Sequence, residues 1–323
     1  MIQRLISRLR PSPGRITRFG AARLLILLIL AVGWLGARSA SPALAAASTQ
    51  ALVSLTQHPS TSLFPQYIPD QPEPEDFTPP GATPPAADPQ LLLPDLRTLP
   101  PYHLKIETLP DGSRELRLSN TIWNSGGGPL ELEGKFNPAT RTTRVEQHIH
   151  TQAGLPLTHL VGEFVWHPQH DHWHFESFSL YELWTLTPDG RLDALISSSD
   201  KVSYCVIDTD IIDRENKSFE PRKRYAGCGR ALQGLSPGWG DTYKSFLDGQ
   251  SIHLAGVKEG FYALKSTANP DAILLESSYH NNAALLYLDI RGERIEHFSP
   301  EELFVRQCQA GNWRMLKKFF CWS

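Results

Sequence analysis

Residues 164–183 read F-V-W-H-P-Q-H-D-H-W-H-F-E-S-F-S-L-Y-E-L. Four of the chain's 12 histidines fall here, at His167, His170, His172 and His174. On a β-strand successive side chains alternate faces, so His170, His172 and His174 are expected to line one face, ~6.5–7 Å from one to the next. Asp171 and Trp173 then point the other way, and Phe175, Phe178, Leu180, Tyr181 and Leu183 continue an aromatic, strand-favouring run. Three neutral imidazoles without a thiolate suit Cu(II) or Zn(II) and leave coordination positions open to water, oxygen or substrate. That pattern describes a working metal site rather than a closed structural one. Surface histidines, or core histidines satisfied by hydrogen bonds, are the plainer alternative, and three at strict period two weigh against it.

Outward from this stretch the chain keeps the same texture. Alternating apolar and polar residues predict strands at 103–108, 115–123, 130–132, 144–150, 157–166, 172–186, 192–198, 251–254, 260–266, 273–277 and 283–289. Turn signals punctuate them, among them Pro110-Asp111-Gly112, Thr187-Pro188-Asp189-Gly190 and Asn269-Pro270-Asp271. Gly126-Gly127-Gly128 is followed by no Gly-Lys-Ser/Thr and opens no helix, so it reads as a strand connection and not a phosphate loop. Many short strands with almost no helical periodicity predict an all-β fold, an antiparallel β-sandwich with long loops. Ser299-Pro300-Glu301-Glu302 reads as a capping box with proline at the first helical position, predicting a short C-terminal helix to about residue 307.

The two ends differ from this core. Residues 1–45 carry seven arginines and no acid, with an apolar run at 24–35 and small residues ending Ala43-Leu44-Ala45-Ala46. Basic, apolar and small-residue regions in that order describe a secretory signal or, uncleaved, a membrane anchor, so a secreted or cell-envelope protein is expected. Without those residues the formal charge of -3 becomes -10. An acidic surface disfavours nucleic acid and suits basic partners such as lysine-rich proteins or polyamines. Residues 46–91 are a proline-rich spacer with few aromatics. The β-sandwich is then expected over 92–296 and a C-terminal extension over 297–323, whose last ten residues mix Lys and Arg with Phe and Trp. All four cysteines follow the signal, and proximity in sequence pairs Cys205 with Cys228 and Cys308 with Cys321.

Around the histidines the sequence is similar to the lysyl oxidase family. Its animal members carry W-H-x-C-H-x-H-Y-H followed by an aromatic and a Y-D-L segment. Here the run is Trp166, His167, Pro168, Gln169, His170, Asp171, His172, Trp173 and His174, then Phe178 and Tyr181-Glu182-Leu183. The family's K-x-S-F-C matches Lys201-Val202-Ser203-Tyr204-Cys205, and its glycine, tryptophan and aspartate ahead of a tyrosine match Gly238-Trp239-Gly240-Asp241-Thr242-Tyr243. Its E-S-D-Y-S-N-N resembles Glu276-Ser277-Ser278-Tyr279-His280-Asn281-Asn282. Gln169 stands where the animal enzymes have a cysteine, and most of their other cysteines are absent.

The resemblance implies Cu(II) on His170, His172 and His174 and a lysine tyrosylquinone formed from Lys201 and Tyr243. It implies oxidation of a primary amine, free or on a peptidyl lysine, by oxygen to an aldehyde, ammonia and hydrogen peroxide. Asp241, two residues before that tyrosine, is the candidate base. Three alternatives stay open: a copper-binding envelope protein that forms no quinone, a zinc hydrolase with Glu176 as base, and a cupin-like metal enzyme using His172 and Glu176.

Overall fold

The computed structural model of the chain describes residues 88–310. The expected signal, most of the proline-rich spacer and the aromatic, basic tail lie outside those residues. Strands come first as β1 (Leu91–Leu92), β2 (Leu96–Thr98), β3 (Tyr102–Thr108), β4 (Arg114–Asn124), β5 (Leu130–Asn137) and β6 (Thr142–Thr151). The histidine stretch supplies β7 (Leu157–His167) and β8 (His172–Leu186), followed by β9 (Leu192–Ser198), β10 (Val202–Tyr204) and β11 (Asp210–Ile211). Then come β12 (Leu232–Leu235), β13 (Trp239–Tyr243), β14 (Ser251–His253), β15 (Gly260–Ala268), β16 (Ala283–Arg291) and β17 (Arg294–Phe298).

Two antiparallel sheets result. Eleven strands run in the order β12-β5-β6-β7-β8-β15-β16-β17, with β1 on β6 and with β9 and β10 both on β8. The other six run β11-β13-β4-β14, with β2 and β3 on β4. One core joins the two: Leu116, Leu118 and Ile122 of β4 cluster with Phe164 of β7 and with Phe175, Phe178, Tyr181 and Leu183 of β8, all buried. Each such apolar side chain contributes roughly 1.5–3 kcal/mol relative to exposure. The expected all-β sandwich is therefore the fold.

Local chemistry explains the connections. Between β3 and β4 the Pro110-Asp111-Gly112 turn closes through Leu109 N–H to Ser113 O at 2.8 Å, with Gly112 at φ 83°. The glycines after β4 do connect strands; a Cβ at Gly128 would strike the Leu92 carbonyl, so only glycine lets the loop lie against that segment. Cys205 and Cys228 form the expected disulfide. Cys308 is also disulfide-bonded, while its expected partner Cys321 lies outside the described residues.

Three expectations are corrected. Residues 273–277 form a loop, because side chains take the place of a ladder: Gln147 exchanges two 2.8 Å hydrogen bonds with Leu275, and Asn269 Oδ1 accepts from Leu274 N–H at 3.2 Å. Ser299 makes no side-chain capping bond; the C-terminal helix begins as a 3-10 turn at Pro300–Glu302 and continues as α1 (Leu303–Gln309). His170 does not sit on the strand: β7 stops at His167 and β8 starts at His172.

Candidate active site

The hairpin between β7 and β8 brings the histidines together. Phe164 pairs with Phe175, Val165 with His174, Trp166 with Trp173 and His167 with His172. Directly paired residues share a face, so His167, His172 and His174 lie on one side of the hairpin while Trp166 and Trp173 pack edge to face on the other. The four-residue turn 168–171 is held by His170 N–H donating to His167 O at 3.1 Å. Asp171 takes φ 56° there, a region that Asp tolerates better than most residues. The turn folds His170 back over the face it connects.

The histidine rings then converge. His170 Nδ1 lies 3.2 Å from His174 Nε2, and His167 stacks on His174 with ring centroids 4.5 Å apart. Ring nitrogens of His167, His170 and His174 all lie within 4.8 Å of one another. His172 is 4.9 Å from His174 and 5.5 Å from His170 between ring centroids, and its ring belongs to a different group of donors, described below. Two nitrogens bound to one ion at ~2.0–2.1 Å, with ligand angles near tetrahedral or square, stand ~3 Å apart. The His170–His174 separation fits that geometry. His167 Nδ1 is buried with no hydrogen-bond partner among the described residues, as a donor meant for an ion would be.

Electrostatics agree with this. Burial first, and the neighbouring imidazoles second, hold the His174 ring at a pKa of about 3, so it is neutral and its lone pair is free to bind. Burial likewise lowers His170 and His172, with His167 the next cause for both. Ser203 Oγ sits 3.0 Å from His174 Nδ1 and fixes the ring from behind.

Tyr243 reaches the cluster from the other sheet. It ends β13, opposite Asn120 of β4, with its ring centroid 6.1 Å from His174 and 6.5 Å from His170. The ring stacks on Tyr204 at 3.8 Å, and its phenolic oxygen accepts from Cys205 N–H at 2.7 Å. Burial, reinforced by the charge of Asp241, raises its pKa. Asp241 occupies the same face of β13, fully buried, and neither carboxyl oxygen has a partner among the described residues. Burial, with Asp210 and Asp208 adding to it, lifts its pKa well above the ordinary carboxylate range.

A cleft of about 380 Å³ opens over the cluster, lined by His167, His170, His174, Lys201, Ser203 and Asp248 among others. Lys201 is therefore beside the histidines, half-exposed, with Nζ 2.5 Å from Asp271 Oδ1. The hydrogen bonds of Lys201 and Tyr243 do not join them: one goes to Asp271, the other to Cys205. Glu176 is exposed and does not line the cleft. Sequence reasoning missed the place of His167, which pairing across the turn reveals. It also missed Asp248, which no motif marks, and the ion pair of Asp271, which reads in the sequence only as a turn residue.

The site lies inside the part of the chain that is similar to known proteins. Residues 140–299 match the family model described as Lysyl oxidase. The protein-lysine 6-oxidase of Gallus gallus is 37% identical over 127 residues, 39% of this chain and 27% of that protein. That of Sus scrofa is 36% identical over 118 residues, 36% of this chain and 43% of that protein. Lysyl oxidase homolog 3 of Homo sapiens is 30% identical over 175 residues, 53% of this chain and 21% of that protein. The chain thus spans less than half the length of these relatives. The matched residues hold the histidine hairpin, Lys201 and Tyr243, and on that match residues 140–299 belong to the lysyl oxidase family.

Proposed function

We propose that this chain is a copper-dependent amine oxidase of the lysyl oxidase type, acting on peptidyl lysine or small primary amines. The observation that carries the reading is Tyr243, a buried tyrosine delivered by one sheet to within ring contact of histidines delivered by the other. His170 and His174 would hold Cu(II), with His172 as third ligand as the family motif has it. His167 is the competitor that stacks on His174. Copper and a lysine tyrosylquinone made from Lys201 and Tyr243 would supply the two-electron acceptor that takes an amine and oxygen to aldehyde, ammonia and hydrogen peroxide.

The chain's own residues have definable tasks. Asp248 and Asp200 line the cleft and draw an ammonium toward it. Asp271 holds Lys201 at the rim. Tyr204 stacks against Tyr243 and orients its ring. Asp241, buried on the same face of β13 as Tyr243, is the candidate to take the substrate's α-proton. In domain terms, 92–296 is the catalytic sandwich, behind a signal or anchor at 1–45 and a spacer at 46–91, in a secreted or cell-envelope protein. No helix among the described residues is long and apolar enough to cross a membrane.

One observation favours a second reading. Lys201 is engaged with Asp271 rather than with Tyr243, which suits a copper-binding envelope protein that forms no quinone. Mass spectrometry of a tryptic digest, from chain expressed with copper in an oxidising compartment, separates the two. A peptide joining Lys201 to Tyr243 with the mass of a quinone is expected, lost in Tyr243→Phe together with amine-dependent peroxide. A folded, copper-loaded sample without that peptide sinks the oxidase reading. For the third ligand, His172→Gln is expected to lower the Cu(II) content more than His167→Gln.

A further inference from the structure

His172 differs from the other three histidines in what its ring meets. It does not line the cleft; instead a ring nitrogen of His172 and the sulfurs of Cys205 and Cys228 lie within 4.8 Å of one another. His172 Nε2 is buried and has no hydrogen-bond partner among the described residues. A nitrogen shielded from water and left unpaired is costly, and such a group asks for a reason.

The backbone beside each of these three donors is held by hydrogen bonds that do not depend on the disulfide. Gln233, fully buried on β12, accepts from Val206 N–H at 2.9 Å, next to Cys205. Its amide donates to Trp173 O at 2.8 Å, next to His172, and to Gly229 O at 3.2 Å, next to Cys228. Cys228 O accepts from Trp173 N–H at 3.1 Å, and Cys205 N–H is held by Tyr243. Cutting the S–S bond would leave both sulfurs beside His172 on a clamped backbone.

We propose that, while its two thiols are free, the chain binds one Cu(I) ion on Cys205 Sγ, Cys228 Sγ and the His172 imidazole. Two thiolates and an imidazole in a largely buried setting are soft donors that select Cu(I) over Cu(II). The purpose of the site rests on the copper reading above: it loads the histidine centre. On exchange with an external disulfide, each cysteine sulfur gives up one electron and the Cys205–Cys228 bond forms. The external disulfide takes those two electrons, gains two protons from water and leaves as two thiols, so copper remains Cu(I). The ion then keeps only His172, two residues from both His170 and His174, and passes to them as Cu(I); reaching Cu(II) there takes the loss of one electron to oxygen, the co-substrate of the proposed reaction.

The test titrates Cu(I) under argon, against the chelator bathocuproine disulfonate, into the full chain in its reduced and its disulfide forms. The reduced chain is expected to hold one Cu(I) more, with two sulfur neighbours in its X-ray absorption spectrum. That ion should slow alkylation of Cys228 by iodoacetamide, read by peptide mapping, and leave Cys308 unaffected. His172→Asn is expected to keep both sulfurs and weaken the ion by more than the ~10-fold that losing a partner behind a ligand costs. The proposal fails if no extra ion binds, if protection falls on Cys308 instead, if His172→Asn binds as tightly, or if the reduced chain loses its β-sheet circular dichroism. Amine-dependent peroxide from the oxidised, Cu(II)-loaded chain is a separate readout, so loss of the oxidase reading is distinguishable from loss of this one.

Discussion

Ser203 and Asp248 show how much single side chains decide around the histidines. Ser203 fixes His174 through Nδ1 at 3.0 Å without touching the ion-facing nitrogen. Ser203→Ala should lower Cu(II) affinity about tenfold, measured by competition with a chelator, since partners behind a ligand matter at that level. Asp248 lines the cleft and bears on His170 by its charge. Asp248→Asn is expected to raise KM for cationic amines several-fold while kcat stays close to its original value, as loss of uniform binding does. At this scale the sequence was partly legible. His172 and His174 stand out by period two, and Lys201 and Tyr243 by their flanking residues. His170 was assigned to the strand because alternation cannot see that Pro168-Gln169-His170-Asp171 is a turn. Asp248 carries no pattern and Asp271 reads only as a turn residue; the fold alone brings Asp248 to the cleft and Asp271 to Lys201.

The loop that follows β15 gives the same lesson for elements. Residues 273–277 have the composition of a strand, yet the segment is organised by one buried carboxylate. Glu276 accepts from Leu96 N–H at 2.5 Å, Asn269 Nδ2 at 2.6 Å and Asn282 Nδ2 at 2.9 Å, tying β2 to the end of β15 and the start of β16. Glu276→Ala strands three buried donors and should cost on the order of 3 kcal/mol in denaturant unfolding. Burial lifts the Glu276 pKa to about 8 against the pull of those donors. The folded chain thus keeps a proton that the unfolded chain releases near 4.5, and stability should fall as pH rises between these values. Glu276→Gln should flatten that slope; an unchanged profile would place the charge elsewhere. Pattern reading fails here because side-chain hydrogen bonds replace a ladder that period two presumes. It succeeded for the other strands it predicted, where a neighbour supplies the ladder.

For the molecule as a whole, charge and connectivity matter most. Removal of residues 1–45 leaves a net charge of -10, and Asp248 and Asp200 put part of it at the cleft. Turnover of a lysine-rich protein should therefore weaken with added salt, on the ~8–10 Å screening scale of 0.1–0.15 M, more than turnover of a small monoamine. Equal salt dependence for both substrates would count against long-range attraction. The strand that begins with His172 and His174 is also the one on which four others, β7, β9, β10 and β15, make their ladders. Between Ser179 and Leu183 it pairs with β15 on one side and with β10 or β9 on the other. In deuterium oxide the amides of Ser179 to Leu183 should be the last to exchange, opening only with global unfolding, so the histidines are mounted on the slowest-breathing part of the chain.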